Sequence, residues 1–430
     1  MEAVEITGIA AGGAGVGRLS DGRVAFVHRT APGDRAVVRV VESRRRWTKA
    51  VLVRLDSGSS DRRDAPCPHY DRCGGCTLEH LRYEAQLAAK AGIVRDAIRR
   101  IGGIDIPPPE VIGSPQEFRY RNRVTFTLRR GPQNVVAGFH ELDAPDRLVD
   151  VTGACLLPEP AVARAWDELR AAWGPDARRL PSGETLRVTV RASAGARAAL
   201  AVQGGYAPGR PEELLERVPV LDAIWHKPEG ADRYRLLAGE SRLRERWSDE
   251  EVALSGDVFT QVNRDAASLL EAHVLDRVGA GAPGHVVDAY CGIGLYARRL
   301  ARDGVRVTGI EAHPEAVAEA RGAAASGRIL AGRVEELLTE ALPADAAILN
   351  PPRSGLHDAV TATLNGEGPR RVVYVSCDPA TLARDLSRLA ERYAIVGIRC
   401  FDLFPQTAHV ETVVELERTV ESAMAPAGDG

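Results

Sequence analysis

Long apolar runs are missing from this 430-residue chain. No stretch approaches the roughly 20 residues that cross a bilayer as a helix. The opening MEAVEITGIAAGG has neither the cationic start nor the apolar middle of a secretory signal. A cytoplasmic protein with no membrane partner is expected. Cysteine is scarce, with seven residues; in a reducing compartment that excludes a disulfide framework and turns attention to metal binding or catalysis. A surplus of either charge is also lacking: 56 Lys and Arg against 59 Asp and Glu leave a formal charge of −3, so the whole chain has no nucleic-acid signature. Internal repeats are absent. The length implies two or three domains.

Residues 1–57 are rich in short strand-like segments, VEITGIA, GRVAFVHR, DRAVVRVVES and KAVLVRL, punctuated by AGGAGVG and APGD. So many short strands in so few residues suggest a small OB-like β-barrel. Its first 50 residues hold 9 Lys and Arg against 5 Asp and Glu. In ESRRRWTKA, Arg44, Arg45, Arg46 and Lys49 flank Trp47, which is either a solvated face or a cationic strip able to grip single-stranded nucleic acid.

Residues 58–250 read as a β-rich α+β central domain. A polar linker, SSDRRDAP, leads to a cysteine cluster, and helical spacing runs from Leu78 to a glycine stop at IRRIGG. The strands RNRVTFTLRR, NVVAGFHE, ETLRVTVRAS and AALAVQGG surround the helical EPAVARAWDELRAAW. The arginines of FRYRNRVTFTLRR either grip phosphates or line a solvated strand face. From 251 to 430 the order becomes strand, loop, helix, which implies a mostly parallel, Rossmann-like α/β sheet. The closing SAMAPAGDG reads as a frayed tail.

In that last domain, HVVDAYCGIG is a strand ending in a glycine turn, and Glu311 closes the next strand 19 residues after Gly292. A carboxylate there can accept two ribose hydroxyls. The glycine pattern alone fits a dinucleotide site as well, and an NAD-dependent oxidoreductase is the reading it leaves open. Downstream, ILNPPRSG ends a strand on Asn350 and two prolines, a stiff wall for a planar base, and VVYVSCDPATLARDL places Cys377 at a buried strand's tip. A thiolate beside a methyl donor has a specific use: adding to carbon 6 of uracil, it makes carbon 5 electron-rich. A base must then remove the carbon 5 proton, and Glu411 in AHVETVVEL is the candidate. The thiol is expected to have a lowered pKa, helped by the following helix N-terminus.

Together FTQVN, DAYCGIGLYA, GIEAHPEAV, NPPRSGL, YVSCDPATLARDL and FPQTAHVET resemble the RNA (uracil-5-)-methyltransferase family. The resemblance implies an S-adenosylmethionine-dependent α/β methyltransferase domain, with Cys377 as nucleophile and Glu411 as base. It implies that Gln261, Tyr290 and Glu311 bind S-adenosyl-L-methionine. The family usually has Asp where this chain has Asn350, whose amide can still meet a uracil N3–H, and Leu295 stands where many relatives have Asn. RNA cytosine-5 methyltransferases carry a second cysteine in a Pro-Cys pair; NPPRSG has none, which favours uracil.

Cys67, Cys73 and Cys76, with five and two residues between them, form three thiols of a four-ligand site, and Cys155 is the candidate fourth. Spacing leaves zinc and iron–sulfur open, with His69 and His80 less fitting ligands. The resemblance extends to the family's ribosomal-RNA branch, which implies an RNA-binding TRAM barrel and a [4Fe–4S] cluster held by these four cysteines. It favours 23S rRNA over tRNA as substrate, and a monomer. Cys291 and Cys400 are expected to pack in the core. A rival reading is an inactive RNA-binding iron–sulfur protein.

Overall fold

The computed structural model describes residues 1–247, 250–254, 260–323 and 327–419; Phe259 of the FTQVN stretch and the SAMAPAGDG tail lie outside the described residues. The chain forms two compact units. One contains Met1–Ile93, Val111–Leu269 and Phe401–Val410; the other contains Val94–Glu110, Leu270–Cys400 and the chain from Glu411 onward.

The first unit opens with a closed barrel of five strands, Glu2–Ile9, Gly15–Arg18, Val24–Val27, Arg35–Ser43 and Trp47–Ser57, in the order first, second, third, fifth, fourth. Val4 and Ile6 point inward while Ala3, Glu5 and Thr7 are exposed, the period of two that one buried face requires. Arg44, Arg45 and Arg46 are exposed, and Trp47 stands edge-on to Phe26 with centroids 6.2 Å apart.

A mostly antiparallel sheet of seven strands follows in the same unit. The helix Pro160–Ala172 covers it, burying Trp166 in stacked contact with Phe126 at 4.0 Å. Three arginines of residues 118–130 are half-buried and bonded to carbonyls. Arg119 donates to the Cys155 carbonyl at 2.9 Å, Arg129 to the Asp146 carbonyl at 2.8 Å, and Arg130 to the carbonyls of Asp176, Ala177 and Pro181 at 2.7, 3.0 and 2.9 Å. These guanidiniums satisfy loop carbonyls that would otherwise be stranded. The helix expected from Leu78 begins at Tyr83. The N–H groups of Thr77 and Leu78 are committed elsewhere, both donating to the Gln406 carbonyl at 2.9 Å.

In the second unit we label seven strands β1 (His285–Ala289), β2 (Arg306–Glu311), β3 (Arg328–Ala331), β4 (Ala346–Leu349), β5 (Arg371–Ser376), β6 (Tyr393–Phe401) and β7 (Glu411–Arg418). They run in the order β3-β2-β1-β4-β5-β7-β6. β1 to β5 are parallel, and β7 is antiparallel to β5. Every residue of β1 and β4 is buried, as expected of strands covered on both faces. The chain runs outward from β1 to β3, then restarts at β4 on the other side of β1. The carboxyl ends of β1 and β4 therefore flank a topological switch point, where open α/β sheets bind ligands. No described helix is long and apolar enough to cross a membrane.

Candidate active site

The turn after β1 is built for close approach. Tyr290, Gly292 and Gly294 have φ of 64°, 55° and 77°, and Gly294 leads into the helix Leu295–Arg302. A Cβ at Gly292 would meet no heavy atom within 4 Å, so its bare backbone faces open space. At Gly294 a Cβ would come within 3.3 Å of Ala320, so that glycine serves helix packing. Glu311, at the end of β2, accepts the N–H of Gly292 at 2.9 Å and that of His313 at 2.7 Å. Its carboxylate thus holds the turn in place and, with about four acceptor positions, retains capacity for a diol. Asn350 follows β4, half-buried, with its N–H 3.4 Å from the Ala289 carbonyl.

Asp288, the fourth residue of β1, went unremarked in the sequence reading. Its carboxylate is fully buried and neither oxygen has a well-formed hydrogen bond, though the Ala297 backbone N–H lies near enough to favour its charged form. Burial first, and then the Glu311 charge, push it up to about 8. The signal available was an acid inside an otherwise apolar buried strand.

Cys377 and Glu411 are brought together by strand register. In the antiparallel pair β5 and β7, Ser376 is the partner of Thr412; Cys377 and Glu411 are the next residues beyond that pair, and the Glu411 charge acts on the Cys377 thiol. Both therefore stand at the carboxyl end of β5. Cys377 is half-buried and Glu411 buried. Burial pushes Glu411 up to about 7 against the opposing pull of Arg353. The Cys377 thiol is also pushed up, by burial and then by Glu411, with Arg353 opposing. This corrects the expectation of a lowered thiol. The next helix, Pro379–Leu389, has its first N–H groups taken by the Asp378 carboxylate, which accepts from Ala380 and Thr381 at 2.9 and 3.0 Å.

Arg353 is a second residue that sequence reasoning passed over. The Thr381 hydroxyl donates to its carbonyl at 3.2 Å, and Arg384 donates to the next carbonyl, Ser354, at 2.8 Å. Buried Asp385 accepts the Leu356 N–H and the Tyr374 hydroxyl, each at 2.8 Å. One helix thus follows Cys377 directly and also fastens the loop that carries Arg353.

Gln261 belongs to the first unit, half-buried, with its carbonyl accepting from Asn122 at 2.8 Å. In the same unit Cys67, Cys73, Cys76 and Cys155 line one cavity with Tyr70, Phe139, Val151, Leu156, Leu157 and the polar His69 and Glu79. Gly75 makes this turn possible, since a Cβ there would sit 3.1 Å from Phe139 and 3.4 Å from the Cys73 sulfur. Arg29 donates to the Cys76 and Cys73 carbonyls at 3.0 and 2.9 Å. Burial raises all four thiols, Cys155 to about 11. Sharing a cavity is not yet ligation: among the described residues, no three or more His, Cys, Asp or Glu stand in an arrangement that could hold a metal ion. His80 is excluded as a ligand, because its ring is held between the Tyr70 hydroxyl at 2.6 Å and the Thr30 carbonyl at 3.1 Å. Cys291 and Cys400 are buried, as expected.

The strand order, the open glycine turn and the acid after β2 define an S-adenosylmethionine-type methyltransferase domain. Residues 318–419 match the tRNA (uracil-5-)-methyltransferase family, and residues 2–53 match the TRAM domain. The chain is 37% identical to an uncharacterized RNA methyltransferase of Gloeobacter violaceus, over 97% of this chain and 96% of the relative. It is 35% identical to one of Nitratidesulfovibrio vulgaris, over 96% and 95%. The crystal structure of Pyrococcus abyssi tRNA (uracil-54, C5)-methyltransferase in complex with S-adenosyl-L-homocysteine matches with a TM-score of 0.74 and 26% identity, over 97% of this chain and 100% of that one. The chain belongs to the RNA (uracil-5-)-methyltransferase family, whose members are S-adenosylmethionine-dependent enzymes.

Proposed function

We propose that this protein methylates carbon 5 of a specific uridine in RNA through a covalent bond between Cys377 and carbon 6. The observation that carries this reading is the register that pairs Ser376 with Thr412, so that Cys377 and Glu411 are the next residues beyond that pair on the two strands. The Cys377 thiolate adds to carbon 6, and the electron pair moves onto carbon 5 and the O4 carbonyl. S-adenosylmethionine supplies an electrophilic methyl group and leaves as S-adenosylhomocysteine. Glu411 takes the carbon 5 proton, the ring double bond reforms, and the thiolate departs. Tyr290, Glu311, Asn350 and Gln261 are assigned to the donor site and its wall. The open backbone at Gly292 supports that assignment. The uridine must be unstacked to reach the sulfur. RNA containing 5-fluorouridine should form a denaturation-resistant adduct with the protein, and Cys377→Ser should not. An adduct undiminished in that variant would remove the nucleophile from the scheme.

The four cysteines are assigned to a [4Fe–4S] cluster, with zinc second. Soft thiol donors sharing one apolar-rimmed cavity suit either. Its role would be structural or in contact with RNA, since methyl transfer needs no electron. Anaerobically purified protein should contain about four irons per chain and absorb broadly in the visible; zinc in their place would overturn the assignment.

The barrel and the cysteines favour 23S rRNA as substrate. The tRNA reading has its own support: the Pyrococcus abyssi enzyme, a tRNA methyltransferase, covers 97% of this chain, so a barrel-bearing architecture does not by itself mark an rRNA enzyme. Mapping 5-methyluridine in 23S rRNA and tRNA from a strain lacking the protein decides between them.

A further inference from the structure

Gln406 lies five residues before Glu411, in the Phe401–Val410 segment that belongs to the first unit. Its side chain is fully buried and its φ is 70°, a left-handed conformation that non-glycine residues adopt only when their surroundings over-determine them. The surroundings do so here. Its side-chain oxygen accepts from Arg63 at 2.8 Å and from Gln86 at 2.9 Å. Its amide nitrogen donates to the Glu117 carbonyl at 3.2 Å. Its backbone N–H donates to the Gln86 side chain at 2.9 Å, and its carbonyl accepts from both Thr77 and Leu78 at 2.9 Å.

The flanking residues are held as firmly. Lys90 and Asp402 form an ion pair with both side chains fully buried, and the Tyr83 hydroxyl donates to Asp402 at 3.0 Å. Lys90 also donates to the Phe404 carbonyl at 3.1 Å, and Tyr120 to the Pro405 carbonyl at 3.0 Å. Buried polar groups that are fully partnered specify one arrangement. In this loop that arrangement fixes the chain immediately before the proposed base, and it does so against Thr77 and Leu78, the two residues that follow Cys76.

We propose that Gln406 is a positioning residue for the proton-removal step: it pegs the peptide leading into Glu411 to the cysteine-bearing segment, so that the carboxylate reaches carbon 5 of the bound uridine. The inference rests on Glu411 being the base. It makes the last chemical step sensitive to residues that touch neither the RNA base nor the methyl donor, while thiolate addition and methyl transfer at Cys377 are not slowed, since Glu411 only raises that thiol.

Two variants test it. Gln406→Gly keeps the backbone conformation without strain and removes only the side-chain contacts. Gln86→Met, of similar shape, removes both bonds that Gln86 makes to Gln406. Each is compared with wild type and Glu411→Gln on unmodified substrate RNA, following first-turnover methyl incorporation, decay of the denaturation-resistant methylated complex, and S-adenosylmethionine affinity. Methyl incorporation should not slow and donor affinity should be unchanged, while decay of the complex slows about ten- to a hundredfold in both variants, the scale of an ångström-sized misplacement. Wild-type decay in both variants, with Glu411→Gln slow, overturns the inference and leaves the base assignment standing. Wild-type decay in Glu411→Gln overturns both. Incorporation, decay and donor affinity falling together would reduce Gln406 to a structural part and also overturn it.

Discussion

Two cysteine sites in this molecule meet burial in different ways. Around Cys67, Cys73, Cys76 and Cys155 the thiols reinforce one another's rise: Cys67 and Cys73 raise Cys155, and Glu79 adds to the rise of Cys76. Arg29 and Arg121 oppose this, yet Arg29 is already bound to the carbonyls of the same loop. Such a group ionises only when strong positive charge arrives among the sulfurs, as a metal would bring. Cys377 has no neighbouring thiol. Burial raises it first; the Glu411 and Asp378 charges then raise it and Arg353 lowers it, so its charged neighbours are a guanidinium and two carboxylates. The comparison separates thiols whose raising neighbours include other thiols from one whose charged neighbours are carboxylates and a guanidinium.

The contrast is broken most directly at Cys377. Cys377→Ser should lower methyl transfer by more than about a thousandfold, as expected when a nucleophile is removed, measured by methyl incorporation into RNA. Activity within tenfold of wild type would place Cys377 with the packing cysteines. Glu411→Gln should slow turnover by about a hundred- to ten-thousandfold, the range for a lost general base, with the methylated covalent complex accumulating. Burial pushes the Glu411 carboxyl up to about 7. The base form is present above that value and lost below it, so decay of the complex should slow as pH falls through 7. Thiolate formation also favours high pH, so neither step predicts an alkaline loss of activity.

The next effect belongs to Arg353. Arg353→Met removes the cation that lowers both Cys377 and Glu411, so the midpoint for adduct formation should move to higher pH. At neutral pH adduct formation should fall, and the deficit should close only as pH rises past the thiol's own raised range. A uniform loss at every pH would show that Arg353 acts in some way other than through the thiol.

How much of this was legible in the sequence depends on how local each feature is. The parallel sheet was, because strands buried on both faces are continuous apolar runs such as VVYV and HVVDA. The barrel was, from the density of short strands and glycines. The pairing of β5 with β7 was not, since β6 intervenes in the chain and nothing in its residues says that β7 inserts between them. The same limit hid Gln406, whose partners Arg63, Gln86 and Glu117 are each hundreds of residues away. The carbonyl partners of Arg119, Arg129 and Arg130 were hidden for a related reason. An arginine gives no local sign of whether it faces solvent or a stranded carbonyl.

The smallest predicted effect refines the account of Cys377 itself. Asp378 does two opposed things at once. As N-cap it accepts the N–H groups of Ala380 and Thr381, and as a neighbouring anion it raises the Cys377 thiol. Asp378→Asn should keep the cap, because the amide oxygen can accept the same bonds, while deleting the charge. The midpoint for adduct formation should then move slightly to lower pH, with thermal stability unchanged. Asp378→Ala should lower the midpoint equally and also cost about 1 kcal/mol of stability, the usual value of a lost cap. A midpoint that moves upward in Asp378→Asn would mean that the carboxylate assists the thiolate, by orienting the helix amides toward sulfur, and that the helix N-terminus contributes to Cys377 after all.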